Sequence, residues 1–208
     1  MQGGFLQLSS RLQSQNAFAS RTSSEQAPRF IRKFFMSDTL TATLPTREVT
    51  LAWSDALSLE LDFMDNTHRE FVDLLAATEL ADDDTLVERF AALIEHTEDH
   101  FGSEDKWMAD TKFSSSNCHT MQHNVVLEVM REGLRRGREK GDMAVMRQMA
   151  HELGIWFPQH AQTMDAALAL HLRRVGYDAV TGIVTAPEAL PEDEIHGSGS
   201  CGDSGCTS

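Results

Sequence analysis

Seven side chains able to bind a transition metal recur in order through the middle of the chain: His68, then His100 and Glu104, then His119 and His123, then His160 and Asp165. His100/Glu104 and His119/His123 are each spaced four residues apart. On a helix such pairs project from one face, one turn above the other, so both members reach the same region. A single His-x-x-x-Glu pair is more often a solvated surface pair than a metal site. The weight lies in the ordered series. Five imidazoles and two carboxylates turned inward need partners, because unpaired buried polar groups are costly. A metal supplies that partner.

Counting donors narrows the metal. Seven protein donors exceed what one tetrahedral zinc accepts. Imidazole combined with carboxylate suits iron among other transition metals. If two metals share both carboxylates and one solvent-derived oxygen, the metal with three histidines has six donors and is saturated. The metal with two histidines has five and keeps an open position. Carboxylate-rich di-iron bundles use Glu-x-x-His pairs instead, and no such paired set occurs here.

The elements that must position these residues read as helices. Asp65 is the expected N-cap of a helix over about 66–80, with Phe71, Leu74, Leu75 and Leu80 on its apolar stripe. Asp82-Asp83-Asp84 breaks it and starts a helix over about 85–109. Its stripe is Phe90, Leu93, Ile94, Phe101, Trp107 and Met108. A polar loop, 111–116, leads to a third helix over about 117–140, carrying Val125, Val126, Val129, Met130 and Leu134. Gly141 ends it and Asp142 caps the next. The fourth runs over about 143–174, with an interruption expected near Pro158. Amphipathic helices with short connections predict an all-α, up-down-up-down four-helix bundle.

On its motifs the chain resembles the hemerythrins, particularly the bacterial single-domain kind. They are Asp65-Asn-Thr-His68, His100-Phe-Gly-Ser-Glu104-Asp105, His119-Thr-Met-Gln-His123 and Trp156-Phe-Pro-Gln-His160-Ala-Gln-Thr-Met-Asp165. The match runs from about Trp53 to Leu172. The resemblance implies two iron ions, oxo- or hydroxo-bridged. His119, His123 and His160 would hold the saturated iron and His68 and His100 the open one, with Glu104 and Asp165 bridging. It also implies reversible O2 binding rather than enzymatic turnover. One feature fits less simply. His160 and Asp165 are five apart, about 140° around a regular helix, so they are expected to need a π-type turn, which closes i→i+5.

Other residues carry blander expectations. His96, one turn before His100, is expected to be a core histidine or a support for the site. His151 and His171 are expected to be surface or packing residues. Cys118 points about 100° away from His119 on a helix, which makes it a packed or half-exposed thiol. Met121, Met130, Met146, Met149 and Met164 read as core filler. Trp107 and Trp156 are expected to line the core near the site.

Composition bounds the rest. The 208 residues suffice for one domain with appendages, here 51–175 with extensions 1–45 and 176–208. A net charge of −14 excludes general nucleic-acid binding, which needs a basic footprint. No apolar run reaches the ~18–20 residues a membrane helix needs. Three cysteines make no disulfide scaffold in a chain this long, which suits a cytoplasmic setting. Residues 1–45 are Ser-, Gln- and Arg-rich and aperiodic, and are expected to be disordered. Their composition resembles a transit peptide; the alternative is that Met36 begins the protein. Residues 176–208 read as an acidic, Gly/Ser-rich tail carrying Cys201 and Cys206. Three functions stay open: O2 storage, transport or delivery, with an oxygen-using enzyme as recipient; oxygen or redox sensing through the tails; and a di-iron enzyme handling peroxide or nitric oxide. The oligomeric state is open.

Overall fold

A computed structural model describes residues 49–191. Met36, Cys201, Cys206 and the expected disordered extensions lie outside the described residues, as does most of the expected tail. The fold is all-α. Helix α1 spans Asp62–Leu80, α2 Asp83–Asp110, α3 Ser116–Lys140 and α4 Met143–His160. A π turn, Ala161–Asp165, joins α4 to α5, Ala166–Val175. The links between α1, α2, α3 and α4 are two to five residues long, so successive helices run antiparallel. Helix α1 packs on α2 and α4, and α3 on α2 and α4. The result is the expected up-down-up-down bundle.

Local chemistry sets the ends. The Asp82 carboxylate accepts the Thr85 N–H at 3.0 Å, capping α2. Asp142 does the same for Val145 at 3.3 Å, capping α4. Helix α3 ends at Gly141, whose φ of 64° is left-handed and whose N–H reaches the Gly137 carbonyl at 3.0 Å. Within α3, glycines also set the spacing to α4. A β-carbon at Gly133 would lie 2.1 Å from the Met149 sulfur, and one at Gly137 2.0 Å from the Met146 sulfur. The methionines fill those notches as flexible core filler.

Three sequence expectations shift. Asp65 is not the cap of α1, which starts a turn earlier at Asp62. It is a buried carboxylate that accepts the Ser58 hydroxyl at 2.6 Å and the Leu59 N–H at 2.7 Å. It therefore pins the segment leading into the bundle. Leu80, the last residue of α1, is exposed rather than packed, and Leu134 is only half-buried. Finally, the chain does not leave the bundle at Gly176. Tyr177 bridges to Val184, and Tyr177, Val184, Ala189 and Leu190 pack over Trp107, Met108, Leu168, Leu172 and Val175. Among the described residues no helix is long and apolar enough to cross a membrane.

Candidate metal centre

The seven candidate donors, five expected from helical spacing and ligand counting and His160 and Asp165 from the family resemblance, come from every helix of the bundle and meet in its interior. Helix α1 supplies His68, α2 His100 and Glu104, α3 His119 and His123, and α4 His160. Asp165 closes the π turn. That turn solves the five-residue spacing. The Ala166 N–H bonds to the Ala161 carbonyl, an i→i+5 closure, and Asp165 Oδ1 comes within 3.2 Å of His160 Nε2. The helix passes unbroken through Pro158 and widens only after His160, three residues later than its expected interruption.

All seven side chains belong to residues at most 3% exposed. Their polar atoms are therefore shielded from water and must be compensated from within. The donors form two groups that share both carboxylates: Glu104, His119, His123, His160 and Asp165 in one, and His68, His100, Glu104 and Asp165 in the other. In each group one donor atom per residue lies within 4.8 Å of all the others. The oxygens divide accordingly. Glu104 Oε1 faces His100 Nε2 at 3.2 Å, while its Oε2 faces His123 Nε2 at 3.3 Å and His119 Nε2 at 3.4 Å. Asp165 Oδ2 faces His68 Nε2 at 3.3 Å, while its Oδ1 faces His119 Nε2 at 3.0 Å and His160 Nε2 at 3.2 Å.

Close as they are, many of these atoms make no hydrogen bond. His68, His119, His123 and His160 each leave Nε2 without a hydrogen-bond partner, as do Glu104 Oε2 and both Asp165 oxygens. Donor atoms converging without hydrogen bonds are the arrangement a cation would satisfy, and imidazole with carboxylate suits iron among other transition metals. The residues fit a bound metal.

Electrostatics point the same way. Burial raises the Glu104 and Asp165 carboxyls, yet neighbouring histidines hold both well below the usual carboxylate range: His100 first for Glu104, His160 first for Asp165. Burial also pushes the His68 and His119 imidazoles down, but Asp165 and Glu104 outweigh it and carry both up to about 9. His160 stays lowered, by burial. The two carboxylates thus make the centre a strong attractor of positive charge.

Aromatic rings wall it. Phe101 stacks on His123 with centroids 3.9 Å apart, and Trp156 on His160 at 4.4 Å. Phe157 meets His68 edge-on at 5.1 Å and stacks on Phe71. Trp107 packs instead against Phe63, within the apolar cluster under residues 177–190. His96 is half-buried, with Nε2 3.2 Å from the Thr67 carbonyl, beside His100. His171 is buried against the Thr111 carbonyl at 3.0 Å, and His151 meets the Thr50 hydroxyl at 2.8 Å. Cys118 is half-buried. Two residues that spacing did not single out, Asp105 and Thr120, touch the site: the Asp105 carboxylate accepts from His123 Nδ1 and from the Thr120 hydroxyl. The one signal for them was the position of Asp105 directly after Glu104.

Comparison with known proteins accords with this geometry. A family model described as the hemerythrin HHE cation binding domain matches residues 59–170. The bacteriohemerythrin of Ralstonia nicotianae (strain ATCC BAA-1114 / GMI1000) is 39% identical over 129 residues, which cover 62% of this chain and 93% of that protein.

Proposed function

Because the chain belongs to the hemerythrin family, we propose that it binds O2 reversibly at a non-haem pair of iron ions, for storage, transport or delivery, without catalysing a reaction. His119, His123 and His160 would hold one iron and His68 and His100 the other, with Glu104 and Asp165 bridging. A pair of irons supplies the two electrons that O2 takes up on binding and returns on release. The carrying observation is the division of oxygens: each carboxylate turns one oxygen to the two-histidine group and one to the three-histidine group. The unequal histidine count leaves the two-histidine side short of one donor, and that is where O2 would enter.

The chain's own residues define what that site can do. Phe71, Phe101 and Phe157 are at most 2% exposed and exclude bulk water from the donors. His96, beside His100, is turned to the Thr67 carbonyl rather than to the donors. Such a site favours holding O2 over consuming it. The domain responsible is 51–175, with residues 177–190 packed onto it.

The test is spectroscopic. Protein loaded with Fe(II) without air should contain two irons per chain, develop visible charge-transfer bands with O2, and lose them on deoxygenation over repeated cycles. Steady O2 consumption with a reductant would move the assignment to an enzyme. Immediate irreversible oxidation would favour a sensor. Fewer than two irons per chain would sink the pair. His160→Ala should abolish the paired-iron spectrum while the helical signal persists.

A further inference from the structure

We propose that Asp105 is a positioning residue for the centre, fixing the proton on His123 Nδ1 and thereby committing His123 Nε2 to metal binding. This rests on the paired-iron reading above. Asp105 follows Glu104 on α2, so the two carboxylates leave the helix about 100° apart. Glu104 points into the centre. Asp105 points into the seam with α3, where its side chain is 34% exposed. There its Oδ1 accepts two hydrogen bonds from one face of α3: the His123 Nδ1–H at 3.2 Å and the Thr120 hydroxyl at 2.7 Å.

An ionised carboxylate only accepts, so the ring nitrogen facing it must carry the proton. The lone pair then sits on Nε2, which faces Glu104 Oε2 at 3.3 Å. The Thr120 hydroxyl holds the carboxylate in place, and Phe101 stacks flat on the imidazole with planes 6° apart. The ring is therefore fixed in tautomer, tilt and rotation. This support is unequal across the site. The Nδ1 atoms of His68, His100, His119 and His160 have no hydrogen-bond partner, so among the described residues the three-histidine group alone has a charged support, and on one ring. An anion at Nδ1 makes the imidazole a stronger donor and favours the more highly charged metal. The structure thus assigns Asp105 a role in setting the saturated iron apart from the open one.

The test compares full-length wild type with Asp105→Leu, Asp105→Asn and Thr120→Val. Each would be titrated with Co(II) under reducing conditions, and then loaded with Fe(II) for proton NMR of the shifted imidazole N–H signals and for potentiometry. Losing Asp105 should weaken metal binding by about 10–100-fold. Asp105→Leu should also move or erase one N–H signal and raise the midpoint potential. Asp105→Asn, which keeps an accepting oxygen without the charge, should retain the signal but still raise the potential, and it carries the test if the leucine variant does not fold. Thr120→Val should weaken binding less than either. Wild-type affinity, signals and potential in both Asp105 variants would overturn the proposal. A wild-type chain that binds fewer than two metals would instead overturn the paired-iron reading, so the two failures are distinct.

Discussion

Glu104 and Asp165 bring two negative charges into a space closed to solvent, and much of the chemistry of the centre follows from them. Against burial, they hold His68 and His119 protonated up to about 9, from an ordinary value of 6.5. An imidazole raised in this way contributes stability that is complete below 6.5 and is lost as the pH climbs through about 9. Chain stripped of metal by a chelator should therefore lose stability between about pH 7 and pH 10, as two protons leave and the carboxylates lose their compensation. Iron-loaded chain should stay flat over that range. Urea midpoints for both forms measure this, and parallel curves would refute it. At this scale part of the candidate donor cluster was legible from spacing, because His100/Glu104 and His119/His123 obey helical periodicity, whereas His160 and Asp165 were reached through the family resemblance. Asp105, Thr120 and Phe101 were not legible as a group. Their contacts with His123 cross between helices, and one chain's periodicity carries no information about which faces of two helices meet.

The elements show where local rules suffice and where they yield. Caps at Asp82, Asp142 and Gly141 sit where side-chain chemistry places them, since each acts within its own turn. Asp65 has the composition of a cap but bonds backward to Ser58 and Leu59, because α1 begins four residues sooner than expected, at Asp62. Asp65→Ala would leave the buried Leu59 N–H unpaired, at a cost of about 1–3 kcal/mol. We expect that loss in urea unfolding with iron content unchanged, since Asp65 is not among the seven donors. Loss of iron instead would tie the lead-in segment to the centre. The π turn is a different case. The need for it was readable from the spacing of His160 and Asp165, but its place was not. The missing N–H of Pro158 is tolerated inside α4, and the widening falls where Asp165 must swing inward.

For the whole molecule, the centre is a tie between distant parts of the chain. Its donors run from His68 to Asp165, and no such cluster exists before the bundle forms. Metal therefore binds the folded state and stabilises it by mass action, about 4.1 kcal/mol at a thousandfold excess over Kd. At about 2–4 °C per kcal/mol, chelation should lower the Tm by about 8–16 °C at neutral pH, measured by calorimetry. A shift under about 2 °C would mean that the donors hold no metal in the folded chain. Residues 177–190 lie at the same scale and were the least legible part. Tyr177 and Val184 meet as a bridge after a turn, and no helical or strand period marks so short a pairing.

The shared carboxylates of Glu104 and Asp165 have a consequence for how the centre fills. Neither half has a carboxylate of its own. With two ions, the first to arrive would fix both carboxylates and so set their opposite oxygens for the second, which would then bind a site already ordered. Loading should be cooperative: under scarce iron, native mass spectrometry should find empty chains and doubly filled chains, with few holding a single ion. A supply shortage would then lower the number of working centres while leaving each one complete.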